Sequence, residues 1–342
     1  MSRENPNPRI AIVGASSLRG KELKQLLEDG SFAASELILL DTTVPAGTLT
    51  EAGGEPAFFK PMEPESFSGA RFVFFAGSPQ EASSNWQIAS QSGAEIIDMT
   101  GVLESVGAAP WIPDLDTLLA PPESTSHRPH KAGIYSSPTP AVLIACRLAA
   151  ALSKLAPARL ALLFFPPASE HEQAGVDELE KQTADLLLLR PIAQPVFDAQ
   201  VAFNLLAGYG SASHPGIGEM RADISRRVAE YLGDRVPAPA LQLIQAPVFY
   251  GYAFAAYADF PSRAELDAID SALASTGMHL TEKSEAKPSN VSIAGEAKIH
   301  IAHAERDPAV NSGVWLWGAA DNLRLSASNA LRIAEELLAL KV

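Results

Sequence analysis

The 342-residue chain has one cysteine, Cys146, only 26 basic residues against 40 acidic ones, and no apolar run long enough to span a bilayer. Each shortage excludes something. A single cysteine closes no internal disulfide and suits a reducing compartment, so a cytoplasmic protein is expected. A net charge of −14 repels nucleic acid and anionic membranes, and neither is an expected partner. The opening MSRENPNP has no apolar stretch of the signal-peptide kind. The Cys and His spacings form no zinc pattern, so no metal is expected. What remains is an ordinary globular balance, 47% hydrophobic and 19% charged, in a chain long enough for two domains.

Residues 9–30, RIAIVGASSLRGKELKQLLEDG, read as a strand, a glycine-containing turn and an amphipathic helix. Apolar strands are expected again at 36–41, 71–79 and 94–101, with a helix over 81–91. Strands alternating with helices imply βαβ units on a parallel sheet, hence an α/β, Rossmann-like domain. Beyond Gly101 the alternation loosens. Residues 105–132 read as a loop with one short helix, and carry the isolated His127 and His130. Residues 134–152 read as a strand end, a turn holding Pro138, Thr139 and Pro140, and a helix. Then come a strand at 158–169, helices at 172–189 and 221–234, and a long strand or hairpin at 241–260. A helix N-capped by Ser262, strands at 297–306 and 314–320, and a closing helix at 320–340 complete the chain. This mixture suggests an α+β second domain.

Gly14-Ala15-Ser16-Ser17-Leu18-Arg19-Gly20 lies between the first strand and first helix. In that context backbone N–H groups and the helix N-terminus face a pyrophosphate, and Gly14, Ser16, Ser17 and Gly20 are the candidate contacts. The position that usually carries a central glycine is Ser17, so a plain strand–helix turn is the equal alternative. Asp41 ends the second strand, where an acid accepts from a ribose 2′-hydroxyl and repels a 2′-phosphate; NAD is therefore the favoured cofactor. The alternative is an Asp that caps the next turn.

Taken together, AIVGASSLRGKEL, LLDTTVPAG, GAEIIDMTG, GIYSSPTPAV, AGVDELEKQT, FNLLAGYG, APVFYGYAF and ADNLRLSASNALRIAEEL resemble, in order and spacing, the aspartate-semialdehyde dehydrogenase family over nearly the whole chain. The resemblance implies a Rossmann-like NAD(P)-binding domain at 1–135 with 319–342, and an α+β dimerisation domain at 136–318, assembled as a homodimer. It implies reduction of an acyl phosphate to an aldehyde with NADPH, through a cysteine nucleophile, a histidine acid/base and arginine anion clamps. At the matching positions these groups are missing. The nucleophile falls on Pro140, the histidine on Tyr252, the carboxylate-binding arginine on Gln245, and the phosphate-binding arginine on Glu104. The NADP-selecting arginine falls on Val44, and a Ser-Gly-Ala-Gly loop becomes Ser169-Glu170-His171-Glu172. A family basic residue persists as Arg221, and Gly14, Gly20, the Asp98 region, Asp321 and Asn322 survive as cofactor features. The pattern resembles the family's Usg-type paralogues, in which a degenerate, pseudoenzyme role is expected.

The leftover groups offer little replacement chemistry. Cys146 lies six residues past Pro140, about 9 Å along and roughly 240° around a helix, and is expected in the core. Thr139 or Ser137 would need a base, and His171 is the one the family placement puts near; a solvated loop and helix start, with Glu170 and Glu172 near the helix N-terminus, is the expected setting of Glu170-His171-Glu172. His300 and His303, three apart on an expected strand, would face opposite ways, while Trp315 and Trp317 share a face of core or interface. Three readings follow: a degenerate family member that binds NAD or a partner, an NAD-dependent oxidoreductase with relocated chemistry on another aldehyde or oxo substrate, and a purely structural partner without a dinucleotide site.

Overall fold

The structure is a computed structural model that describes residues 8–119 and 133–339. His127 and His130 lie outside the described residues. The chain forms two compact units, 1–139 with 326–342 and 140–325.

The first unit runs β1 (Ile10–Val13), α1 (Leu18–Asp29), β2 (Leu37–Leu40), β3 (Leu49–Ala52), β4 (Glu55–Phe58), β5 (Phe72–Phe75), α2 (Pro79–Gln91), β6 (Glu95–Asp98), β7 (Ala109–Pro110), α3 (Pro113–Leu119) and β8 (Ile134–Ser136). Six of these strands make one parallel sheet in the order β2-β1-β5-β6-β8-β7. Strands β1, β5 and β6 are buried at every position, as a parallel sheet covered on both faces requires. Alternate residues serve opposite faces. Ile10, Ile12, Phe72 and Phe74 pack with Leu23 and Leu27 of α1 and with Ala330, Ile333 and Leu337 near the carboxyl terminus. Ala11, Val13, Val73 and Phe75 pack with Ala82 and Ala89 of α2.

The second unit runs α4 (Pro140–Ser153), β9 (Arg159–Phe165), α5 (Glu172–Leu187), α6 (Ile217–Leu232), β10 (Ala240–Leu243), β11 (Tyr252–Asp259), α7 (Leu266–Ala274), β12 (His279–Leu280), β13 (His300–Ile301), β14 (Glu305–Arg306), β15 (Gly313–Ala320) and the start of α8 (Asn322–Ala339). Its mixed sheet has the order β10-β9-β11-β15-β13-β12, with β14 on β15. Helix α4 is apolar nearly all round and accordingly buried, packed against α6, α7 and β9. The other sheet face keeps Leu163, Phe165, Ala255, Tyr257, Trp315 and Trp317 partly exposed, aligned across β9, β11 and β15 by the register.

Several local expectations change. Residues 241–260 are neither one strand nor a hairpin: β10 joins β9 in parallel, β11 joins it antiparallel, and Pro247 and a left-handed Gly251 interrupt the run. Ser262 caps nothing, since α7 begins at Leu266 after Glu265. Helix α6 starts early, at Ile217, where Glu219 accepts from the Gly216 N–H at 2.9 Å. The strand expected over 297–306 shrinks to β13 and β14, so His300 and His303 share no strand; His303 instead sits 2.6 Å from Asp270.

Candidate functional site

In the first unit the glycine turn follows β1. Gly14 is left-handed, and a side chain there would overlap the Gly77 backbone; a side chain on Gly20 would overlap the Gly14 carbonyl. Ser17 is the N-cap of α1, accepting from Gly20 N at 2.9 Å and donating to Ala76 O at 3.0 Å. The serine in the usual central glycine position thus ties the turn to the end of β5.

Asp41 is buried at the end of β2 and serves the protein's own backbone. Oδ2 accepts from Ser16 N at 2.9 Å; Oδ1 accepts from Thr43 N at 2.7 Å, Thr43 Oγ1 at 2.6 Å and Val44 N at 3.2 Å. Burial pushes its carboxyl up, but the donors from Ser16 and Thr43 outweigh it and hold the group below the usual range. Of the two sequence readings of Asp41, turn capping is the one its partners describe.

Glu81, which sequence reasoning passed over, lies beside this turn. With Ser78 it has the Ser-x-x-Glu spacing of a capping box, and its N–H does bond Ser78 Oγ at 3.1 Å. Its carboxylate goes elsewhere, accepting from Thr42 N at 2.9 Å. Burial above all, then the nearby Asp41 charge, raise its carboxyl despite the bonds from Thr42. Arg19 donates to Met99 O at 3.0 Å and Gly77 O at 2.9 Å. At the end of the neighbouring β6, buried Asp98 accepts from Thr100 and from Leu103 N, while Glu104 accepts from Ser136 Oγ at 2.8 Å. Glu104 thus keeps an acidic acceptor where an anion clamp would be basic. Ser137 is buried and bonded to Asn329 Nδ2 at 3.0 Å.

In the second unit a chain of hydrogen bonds joins His171 to the buried Gln245 through Tyr209. Gln245 is fully buried; Nε2 donates to Pro166 O at 3.0 Å and Ala246 O at 2.8 Å, so Oε1 faces Tyr209 and accepts its hydroxyl at 2.6 Å. The one Tyr209 proton being used there, the 3.2 Å contact from His171 Nε2 to Tyr209 Oη requires His171 to donate. The His171 ring also stands edge-on to Phe197, with centroids 4.9 Å apart. Burial drops its pKa from 6.5 to about 4. Ala168–His171 is a short 3-10 turn and α5 begins at Glu172, so the expected helix start is present, but the half-buried His171 is a neutral donor packed against Phe197 and Tyr209 rather than a solvated side chain.

Tyr252 opens β11, wholly buried, its ring edge-on to Phe164 at 5.9 Å. Burial, then the Glu170 carboxylate, push its phenol well above the ordinary range, so it has no access to base chemistry near neutrality. Asn322 is 1% exposed, and its amide is committed inside the protein: Oδ1 accepts from Gly251 N at 3.0 Å, and Nδ2 donates to Ser169 Oγ at 3.1 Å and Glu170 Oε1 at 3.0 Å. That leaves no open donor for the cofactor contact expected of it. Pro140 is the first residue of α4, a helix position where a missing N–H costs little. Cys146 is buried in that helix, as expected. Arg221 donates to Gln242 Oε1 at 2.7 Å. Among the described residues no cluster of three or more metal-ligating side chains occurs.

Comparison with known proteins follows the two units. Residues 9–117 match a family described as the semialdehyde dehydrogenase NAD binding domain, and residues 172–325 match the semialdehyde dehydrogenase dimerisation domain. A USG-1 protein homologue of Pseudomonas aeruginosa is 27% identical over 332 residues, covering 96% of this chain and 97% of the relative. The USG-1 protein homologue of Azotobacter vinelandii is 29% identical, covering 98% of each. Among solved structures, a probable aspartate-semialdehyde dehydrogenase from Pseudomonas aeruginosa superposes with a TM-score of 0.81 at 28% identity, over 97% of this chain and 98% of that one.

Proposed function

The chain belongs to the semialdehyde dehydrogenase family, and from that premise we propose that it is a homodimeric member that has given up the family reaction and acts as a binding protein. The observation that carries this is the state of Gln245. Where the resemblance calls for an arginine to grip a carboxylate, a buried amide has both nitrogen donors on backbone carbonyls and its oxygen on Tyr209. A substrate carboxylate finds neither a charge nor an open donor there. Pro140 supplies no thiolate for acyl transfer, and the raised Tyr252 phenol supplies no base. Relocated chemistry would draw on His171, but Nε2 donates to Tyr209 and a ring with a pKa of about 4 is a weak base near neutrality.

The dimer is supported by the match of residues 172–325 to the family's dimerisation domain and by the half-exposed apolar sheet face. A cytoplasmic location is supported by the single cysteine; among the described residues no helix is long and apolar enough to cross a membrane. The test is nicotinamide absorbance with aspartate semialdehyde, phosphate and NADP⁺ or NAD⁺. The protein and its Pro140→Cys/Tyr252→His variant are both expected to be inactive, since Gln245 and Glu104 still hold no substrate. Activity in the unaltered protein that vanishes on changing Thr139 or His171 would sink the proposal.

A further inference from the structure

A dinucleotide at a strand–turn–helix site needs open N–H groups for its pyrophosphate and bare glycine backbone to approach. Those donors are engaged internally. Gly14 N and Ala15 N donate to Leu40 O, Ser17 N to Gly14 O, Ser16 N to Asp41 and Gly20 N to Ser17 Oγ. The bare glycine surface is covered as well. A Cβ placed on Gly77 would overlap Glu81 Oε2, and one on Gly14 would lie 2.9 Å from the same oxygen. One carboxylate oxygen thus rests over the two glycines while the other holds Thr42 N, on the loop that follows β2. The arrangement, as it stands, does not fit a nicotinamide dinucleotide.

We propose that Glu81 is a built-in anion that closes this cradle: its carboxylate lies over Gly14 and Gly77 and holds the Thr42 N–H, and a nicotinamide dinucleotide binds only once that side chain is displaced or removed. Three features support this. Glu81 is 6% exposed, so its position is enforced by packing. Its partners come from three separate loops, after β1, β2 and β5, which in an open site converge on the ligand. Asp41 adds a second carboxylate, bonded to Ser16 N of the same turn and near enough for its charge to act on Glu81, so an incoming phosphate meets negative charge twice. The proposal rests on reading residues 9–117 as the family's NAD-binding domain and is independent of whether catalysis is lost.

The experiment is calorimetric titration of NAD⁺ into the full-length protein and its Glu81→Ala and Glu81→Gln variants, with thermal melts and near-ultraviolet circular dichroism to verify folding. Glu81→Ala is expected to bind NAD⁺ at least about tenfold more tightly than the unaltered protein. Glu81→Gln, which loses the charge but keeps the bulk, should fall between them and carries the test if the alanine variant does not fold. Equal affinity in all three overturns the role of Glu81 and leaves the NAD-binding reading intact. Folded variants that bind no NAD⁺ at millimolar concentration overturn both. Weaker binding in the variants makes Glu81 a ligand contact and contradicts the proposal.

Discussion

At Gln245 and His171 the residues fill one another's hydrogen-bonding needs in a fixed direction, from imidazole to phenol to amide to backbone carbonyl. That order predicts a pH signature. Burial lowers the folded-state pKa of His171 to about 4 from 6.5, so protons bind the unfolded chain first. Stability attributable to His171 is complete above pH 6.5, declines as pH falls through that value towards 4, and then levels off. The loss is about 3 kcal/mol at most. The difference between urea-unfolding free energies of the protein and of His171→Phe, followed against pH, should show this decline; a flat difference would mean the ring is not desolvated. None of this was legible in the sequence, where His171 sits between two glutamates and looks solvated. Its partners Phe197, Tyr209 and Gln245 are remote in the chain, and only the fold collects them.

Among the elements, the entry to α5 shows a substitution without backbone compensation. Glu172 occupies φ 56° and ψ −156°, a region that suits glycine almost alone, and it stands where the family resemblance has one. Relief of that strain, about 1–3 kcal/mol, exceeds the added flexibility of glycine, about 0.5–1 kcal/mol. Glu172→Gly should therefore raise the urea midpoint, by about 1 kcal/mol in stability; a lowered midpoint would show that the Glu172 side chain contributes more than its backbone costs. Strong periodic elements were readable: β1, α1, β5 and β6 follow from apolar runs and the glycine turn. The β3–β4 hairpin was passed over, although Gly53-Gly54, both left-handed, marks its turn, because strands of Leu49–Ala52 and Glu55–Phe58 alternate too weakly to stand out. Glu81 gives no signal of its own in the sequence, since its Ser-x-x-Glu spacing from Ser78 is that of an ordinary helix start.

Over the whole molecule, order and spacing of motifs were enough to indicate a Rossmann-like unit and a mixed second unit, while the directions taken by the Glu81 and Gln245 side chains are encoded by no spacing. The second sheet's open face supplies the assembly prediction. Leu163 lies beside Ala255, which pairs on its other side with Trp317. Leu163→Arg should shift the protein from dimer to monomer in sedimentation velocity; a dimer of undiminished stability would place the contact elsewhere. The central claim, that the family reaction has been abandoned because the nucleophile, base and anion clamps are replaced and the amide at 245 is sealed, meets its most direct test in one assay. Purified protein is incubated with aspartate semialdehyde, phosphate and NADP⁺ or NAD⁺, and reduced nicotinamide is followed by absorbance. The account predicts no protein-dependent rate with either cofactor; saturable turnover that scales with protein concentration would contradict it.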